Sequence, residues 1–210
     1  MLTVHHLGIS QSERIVWLCE ELELDYRLER YTRRADNRLA PDEYKALHPM
    51  GIAPVITDGD LVLGESGAIC EYICARYGNG RLVPSPDDPD FADHLFWFHW
   101  SNGTFMTTLM MQLVLAGAGG APIGGFVDDR NRRGWAMVEQ RLGEAPFFGG
   151  RTLTTADIMM GFCLTTSRAF GGTSIDAYPN LKAYLARIGA RPAYQRAMAK
   201  AEPGMTPMLS

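Results

Sequence analysis

Strand-like and helix-like hydrophobic periods alternate through the first eighty residues, and past residue 89 the strand signals stop. That change of period constrains the fold more than any other feature. A segment alternating between periods of 2 and 3.6 builds a sheet covered by helices, whereas a run of helical periods alone builds a helical layer. Leu2–Leu7 reads as a short strand, and Ile15, Leu18, Cys19 and Leu22 recur at i, i+3, i+4 and i+7, an amphipathic helix. Tyr26–Glu29 alternates as a second strand, and Pro41-Asp42-Glu43 has the proline and acids of a helix start. Ala53–Thr57 and Leu61–Leu63 form a hairpin across Asp58-Gly59, and a last helix runs from Ser66 to Tyr77.

The order β-α-β-α-β-β-α needs a parallel crossover first and an antiparallel hairpin afterwards, so a mixed four-stranded sheet is expected. Residues 79–89, "NGRLVPSPDDP", are rich in turn formers and read as a linker. Helical patterns follow over Asp90–Leu115 and Val127–Leu142, from Thr154, over Asn180–Ile188 and over Pro192–Ala201. The expected organisation is an α/β domain over 1–78, a linker over 79–89 and an all-α domain over 90–210. The segment "GAGGAPIGG" (117–125) neither follows a strand nor matches a P-loop spacing, and reads as a break after the long helix.

A formal net charge of −4 gives no reason to expect nucleic acid or an anionic membrane as partner. The N-terminus lacks a basic region followed by a long apolar one, and the most apolar run, Met106–Gly117, is too short to span a bilayer. A cytoplasmic location is the default. The four cysteines, at 19, 70, 74 and 163, form no C-x-x-C pair and read as small buried thiols. The histidines His5, His6, His94 and His99 form no metal-ligand pattern and read as structural, so no metal is expected.

Three short stretches carry chemistry. In "HPMGIAPVI" (48–56), Pro54 stands where a buried strand begins. Proline lacks the ladder donor, so it belongs on an edge strand, at a first strand residue or at a bulge. With a cis Ala53–Pro54 bond, Ala53 would turn its N–H and C=O away from the sheet towards an extended peptide. In "ISQSER" (9–14), Ser10 and Glu13 have capping-box spacing, while a hydroxyl at a helix N-terminus is also a donor to an anion such as a thiolate. Ser12 is the alternate donor. In "GESG" (64–67), Ser66 has the place of an N-cap. Alternatively, its hydroxyl and the helix amides bind a carboxylate while Glu65 binds an ammonium.

An unpaired backbone stub, an amino-acid-end site and a hydroxyl beside a sulfur anion together describe a receptor for a small thiol peptide. On these residues the chain resembles the glutathione S-transferases, and the resemblance covers essentially its full length. "HPMGIAPVI" resembles the cis-proline motif of the family's thioredoxin-like domain, and "LGESGAICEYI" its γ-glutamyl motif. "LTTADIMM" (153–160) resembles the buried capping box of the helical domain, with Thr154 as N-cap and Asp157 at N3, and "YPNLKAYLARIGARPAYQRAM" its closing helices. The N-terminal segment is most similar to the fungal-type and bacterial members, of serine type.

The resemblance implies a thioredoxin-like domain followed by an all-α domain, glutathione as cosubstrate, and thiolate attack on small hydrophobic electrophiles, with peroxide or disulfide reduction as a side activity. It makes Ser10 the thiolate-stabilising residue, Ala53 the partner of the cysteinyl backbone, and Glu65 and Ser66 the γ-glutamyl site. A homodimer is implied, with Asn102 reaching glutathione from the second copy. The electrophile would sit against the helical domain, where Trp97, Trp100, Phe105, Met106 and Met110 are candidates for an apolar wall; core packing is the ordinary meaning of such a stripe. The chain departs from the family at Ile52, where many members carry lysine, so a cation for the glycyl carboxylate must come from elsewhere, with Arg38 the candidate. A non-catalytic binding module of the same fold is the competing reading. A dithiol oxidoreductase is disfavoured because Ser10 stands at the thiol position.

Overall fold

The computed structural model describes residues 1–117, 124–171 and 173–210. In chain order the elements are β1 (Leu2–Leu7), α1 (Glu13–Glu21), β2 (Arg27–Tyr31), α2 (Asp42–Lys45), β3 (Val55–Asp58), β4 (Leu61–Gly64) and α3 (Ser66–Tyr77). Then come α4 (Phe91–Trp100), a π-helical stretch (Ser101–Met106), α5 (Thr107–Gly117), α6 (Gly124–Glu144) and α7 (Thr155–Leu164). The last are α8 (Arg168–Gly171), α9 (Pro179–Gly189) and α10 (Pro192–Ala201). The glycine-rich stretch singled out after the long helix lies mostly outside the described residues, with Gly117 ending α5 and Gly124 opening α6.

The chain forms two compact units, one of Met1–Val83 with Gly189–Pro207, the other of Pro84–Ile188 with Met208–Ser210. The first holds the mixed four-stranded sheet expected, in the order β2-β1-β3-β4. β1 and β2 are parallel, Thr3 opposite Arg27, with α1 as the crossover. β1 and β3 are antiparallel, as are β3 and β4. The hairpin turns through Gly59-Asp60, where Gly59 takes φ +59°, the positive value that primed hairpin turns require of their first central residue.

Residues 189–207 belong to this first unit rather than to the helical one in which the change of period had grouped them. The reason is the stripe Ala193, Tyr194, Ala197, Met198 and Ala201, which α10 buries against α1. Trp17 meets Tyr194 edge-on at 5.1 Å, and Arg191 grips Glu21 with two bonds of 2.7 Å. Glu20 receives Arg196 at 2.9 Å and also Lys200 and Tyr26. Burial opposes the Glu20 charge, but the bonds from Lys200, Arg196 and Tyr26 outweigh it and hold the carboxyl below its ordinary value.

In the second unit the expected long helix is one helical run whose middle turn is π, around Gly103. α7 is buried along its whole length, as a helix apolar all round must be. Thr154 caps it, accepting the Ala156 amide at 3.2 Å, and Asp157 reaches back to the Thr154 amide at 2.9 Å. The same carboxylate accepts the Phe148 amide at 2.9 Å and the Tyr184 hydroxyl at 3.1 Å. Burial nevertheless pushes the Asp157 carboxyl up to about 6.

Candidate functional site at one end of the sheet

Sheet register brings the three chemical stretches together. His5 lies opposite Val55, and Val55 opposite Gly64. The segments just beyond that line, from Gly8 onward, Ala53-Pro54 and Glu65-Ser66, therefore gather at one end of the sheet. Arg14 confirms the neighbourhood: its guanidinium donates to Gln11 Oε1 at 2.5 Å and to the Ser66 hydroxyl at 3.3 Å.

The Ala53–Pro54 bond is cis. β3 is an interior strand, so of the placements open to a proline the molecule uses the strand start: Pro54 precedes Val55 and costs the ladder nothing. Ala53 packs against the cluster of Leu7, Ala40, Tyr44 and Val55, which fixes the stub. Its own amide and carbonyl make no hydrogen bond to another described residue.

Ser10 does not cap α1. The helix begins at Glu13 with Ser12 in the cap position, so the capping box expected from Ser10 and Glu13 is not formed. Instead the Ser10 hydroxyl lies 2.7 Å from the Leu7 carbonyl and 2.7 Å from Ser12 Oγ, and accepts the Ser12 amide at 3.2 Å. This local side-chain to backbone turn competes with helix and delays its start. Ser12 is wholly buried; its Oγ accepts the Leu7 amide at 3.1 Å and lies 2.9 Å from His6 Nδ1. His6 Nε2 in turn lies 3.1 Å from Glu202 Oε1, which also accepts the Ile9 amide.

Ile9 has φ +53°, a rare conformation for a β-branched residue, of order 1–3 kcal/mol in strain. Both its backbone groups are held: the N–H by Glu202 and the C=O by Arg33 at 3.0 Å. Arg33 also donates to the Gly8 carbonyl at 2.8 Å and the Arg38 carbonyl at 3.0 Å. Arg38 itself is exposed with φ +63°, and together with Arg30, Arg33 and Arg34 it lines a cavity of about 490 Å³ that reaches His6 and Glu202.

Glu65, not Ser66, is the N-cap residue of α3, with φ +69° and an exposed side chain, while Ser66 is buried at the first helical position. The cap shifts by one because the Glu65 backbone makes the turn, and Ile69 N–H bonds its carbonyl at 2.9 Å. Ile52 is 45% exposed and presents an apolar side chain at the surface. All four cysteines are buried, and burial raises the thiols of Cys19, Cys70 and Cys74, the last to about 11.

In the second unit, Trp97, Trp100, Phe105 and Met106 are core residues rather than a wall. Trp100 stacks on Phe105 at 4.8 Å, Phe105 meets Trp135 at 5.1 Å, and Trp97 meets Phe148 at 5.0 Å. Of the five residues expected to face an electrophile, Met110 lines a cavity of about 420 Å³ that Leu113, Trp135, Arg168 and Phe170 also border. Asn102 is half-buried in the π-helical stretch, where its carbonyl accepts the Thr107 hydroxyl at 2.8 Å.

Reading residues in order gives His6 a structural role and passes over Arg14, Arg33 and Glu202. His6 follows His5 on a strand whose end the other motifs mark, and that adjacency is the signal available for it. Glu202 stands 196 residues away and carries none.

Residues 10–76 match the family model for the glutathione S-transferase N-terminal domain, and residues 126–192 match that for its C-terminal domain. Glutathione S-transferase 3 of Schizosaccharomyces pombe is 27% identical over all of this chain and 92% of its own. The crystal structure of a glutathione S-transferase from Actinobacillus pleuropneumoniae is 33% identical, with a TM-score of 0.89, covering 96% of this chain and 93% of that one. The chain belongs to the glutathione S-transferase family. The similarity extends to a protein of another name, the disulfide-bond oxidoreductase YfcG of Escherichia coli, 28% identical over 97% of each chain. A theta class glutathione S-transferase from Xanthomonas axonopodis pv. citri, solved with glutathione bound, is 25% identical with a TM-score of 0.72 over 93% of this chain and 96% of its own. Among the described residues no helix is long and apolar enough to cross a membrane, and no group of three or more His, Cys, Asp or Glu side chains is arranged to hold a metal.

Proposed function

We propose that the protein is a glutathione transferase in which the first unit binds glutathione along the stub before β3 and ionises its thiol at Ser10. The observation that carries this reading is the Ala53 amide and carbonyl, unbonded to other described residues and left to an extended peptide at the sheet end that also holds Ser10 and Ser66. The cysteinyl backbone pairs with Ala53. The γ-glutamyl carboxylate binds at Ser66 and the start of α3, and its ammonium at Glu65. The glycyl carboxylate binds Arg38, which answers the apolar Ile52. Asn102 of a second copy in a homodimer completes the site, and an apolar electrophile binds against the helical unit at Met110. Reaction takes place in the cytoplasm, as thiolate addition or substitution, with disulfide or peroxide reduction as a side activity.

The magnitudes are adequate. A free thiol ionises near ~8.5, and lowering that by ~2 units takes ~2.7 kcal/mol of anion stabilisation. One hydrogen bond to a charged group contributes ~1.5–3 kcal/mol, and a helix N-terminus adds ~0.3–1. Titration of bound glutathione by thiolate ultraviolet absorbance, in the parent and in Ser10→Ala, tests the reading. Thiolate at neutral pH in the parent and its loss in the variant are expected. Glutathione that binds without ionising would overturn it.

A further inference from the structure

Beneath Ser10 lies a chain of polar groups that the family reading does not use. Ser10 Oγ lies 2.7 Å from Ser12 Oγ, Ser12 Oγ 2.9 Å from His6 Nδ1, and His6 Nε2 3.1 Å from Glu202 Oε1. His6 and Ser12 are fully buried, and Ser10 and Glu202 nearly so. Each serine has one hydroxyl proton to donate, which restricts how these contacts are filled.

With Glu202 as a carboxylate, Nε2 of His6 carries a proton, and two states remain. In the neutral ring Nδ1 accepts from Ser12, and the Ser10 proton can go to Ser12 Oγ or to the Leu7 carbonyl, 2.7 Å from each; that carbonyl also lies 3.3 Å from Ser12 Oγ. With a second proton on the ring the direction reverses. Nδ1–H then donates to Ser12, Ser12 donates to Ser10, and the Ser10 proton points outward, to the Leu7 carbonyl or to an anion beside it. A second proton on His6 therefore commits the Ser10 proton outward.

We propose that His6 takes up the thiol proton of bound glutathione through Ser10 and Ser12, while Glu202 holds the imidazolium that results; this rests on the function proposed above. The S–H bond breaks and its proton bonds to Ser10 Oγ. The former Ser10 proton passes to Ser12 Oγ, and the former Ser12 proton to His6 Nδ1. Nothing is oxidised or reduced. The products are a thiolate that accepts from Ser10 and an imidazolium between Ser12 and Glu202, so the pocket gains no net charge. Besides Glu202, the charged groups that line the cavity reaching His6 are Arg30, Arg33, Arg34 and Arg38. Arg33 bonds the Gly8 and Ile9 carbonyls, and Arg34 pairs with Asp36. His6 and Glu202 are positioning residues here, because neither touches glutathione.

The readout is the number of protons released for each thiolate formed. Glutathione binding is measured at neutral pH by calorimetry in two buffers of different ionisation enthalpy, beside the thiolate absorbance. The intact protein is expected to form thiolate while releasing well under half a proton for each. In Glu202→Gln and in His6→Gln the release is expected to rise towards one proton for each thiolate that still forms, with kcat/KM about tenfold or more lower and glutathione affinity within about threefold. The count on the intact protein needs no variant, and Glu202→Gln, at the end of α10, serves if the buried His6 variant fails to fold. Release of one proton per thiolate by the intact protein would overturn the relay and leave the proposed function standing. Binding without thiolate would overturn both.

Discussion

The Arg14 guanidinium donates to the Ser66 hydroxyl across 3.3 Å and so ties the start of α1 to the start of α3. The same nitrogen donates to Gln11, and Arg14 is almost completely buried. A lysine keeps the charge but lacks the planar fork. In Arg14→Lys the proposed γ-glutamyl site loses its fixed hydroxyl, and the Kd for glutathione is expected to rise about tenfold, about 1.4 kcal/mol, with kcat changed much less. Equilibrium titration beside steady-state rates checks this; an unchanged Kd would remove Ser66 from the binding site.

Ile52 offers the opposite experiment. It is exposed, so Ile52→Lys is expected to leave stability within about 0.5 kcal/mol. A cation there adds a partner for the glycyl carboxylate in a solvent-accessible position, where an ion pair contributes about 0.2–1 kcal/mol. The expected result is a severalfold lower Kd for glutathione that fades as salt is raised. Weaker binding would mean that the glycyl end lies elsewhere.

Phe105 and Met110 separate core from cavity. Phe105 is buried between Trp100 and Trp135, and Phe105→Ala is expected to cost about 3–5 kcal/mol of stability in urea unfolding. Met110 is 38% exposed at a cavity wall. Met110→Ala is expected to leave the unfolding midpoint nearly unchanged and to shift KM for an apolar electrophile. A KM that stays fixed over several apolar electrophiles would remove this cavity from catalysis.

Asp157 gives a pH dependence of defined sign. Burial raises its carboxyl from an ordinary 3.8 to about 6, so between those values the folded protein binds a proton that the unfolded chain does not. The contribution is therefore full below pH 3.8 and is lost as pH rises through about 6. Relative to Asp157→Asn, which does not titrate, the parent is expected to gain about 2–3 kcal/mol when pH falls from 7 to 4. Urea midpoints of both proteins across that range measure it. A gap that moves the other way would mean that the Thr154 and Phe148 amides hold Asp157 ionised.

What was legible in the sequence was local. Hydrophobic period and turn residues located β1 at Leu2–Leu7, α3 at Ser66–Tyr77 and α10 at Pro192–Ala201, because each is bounded by its own chemistry. The proline in an apolar run is legible as an edge strand, a strand start or a bulge, of which the fold uses the second, and the Thr154–Asp157 spacing is legible as a cap. Of the two readings open for Ser10, the cap fails because Leu7 and Ser12, not the helix, claim its hydroxyl. The aromatic stripe on α4 was ambiguous in principle: period alone states that a face is buried, not against what. The Glu202 contact with His6 depends on α10 packing on α1, and no spacing along the chain encodes that pairing.

Residues 84–188 are synthesised before the strand unit receives its last helix. A nascent chain that has made the whole sheet still lacks α10, the Glu202 support for Ile9 and His6, and the cover over Trp17. Domain-by-domain folding on the ribosome thus leaves this unit waiting, its apolar α1 face open to chaperones, until the final helix emerges. Completion of the sheet unit, and with it of the proposed thiol site, is in this sense a late event in the life of each molecule, and chains broken after α9 would carry every sheet residue without Glu202.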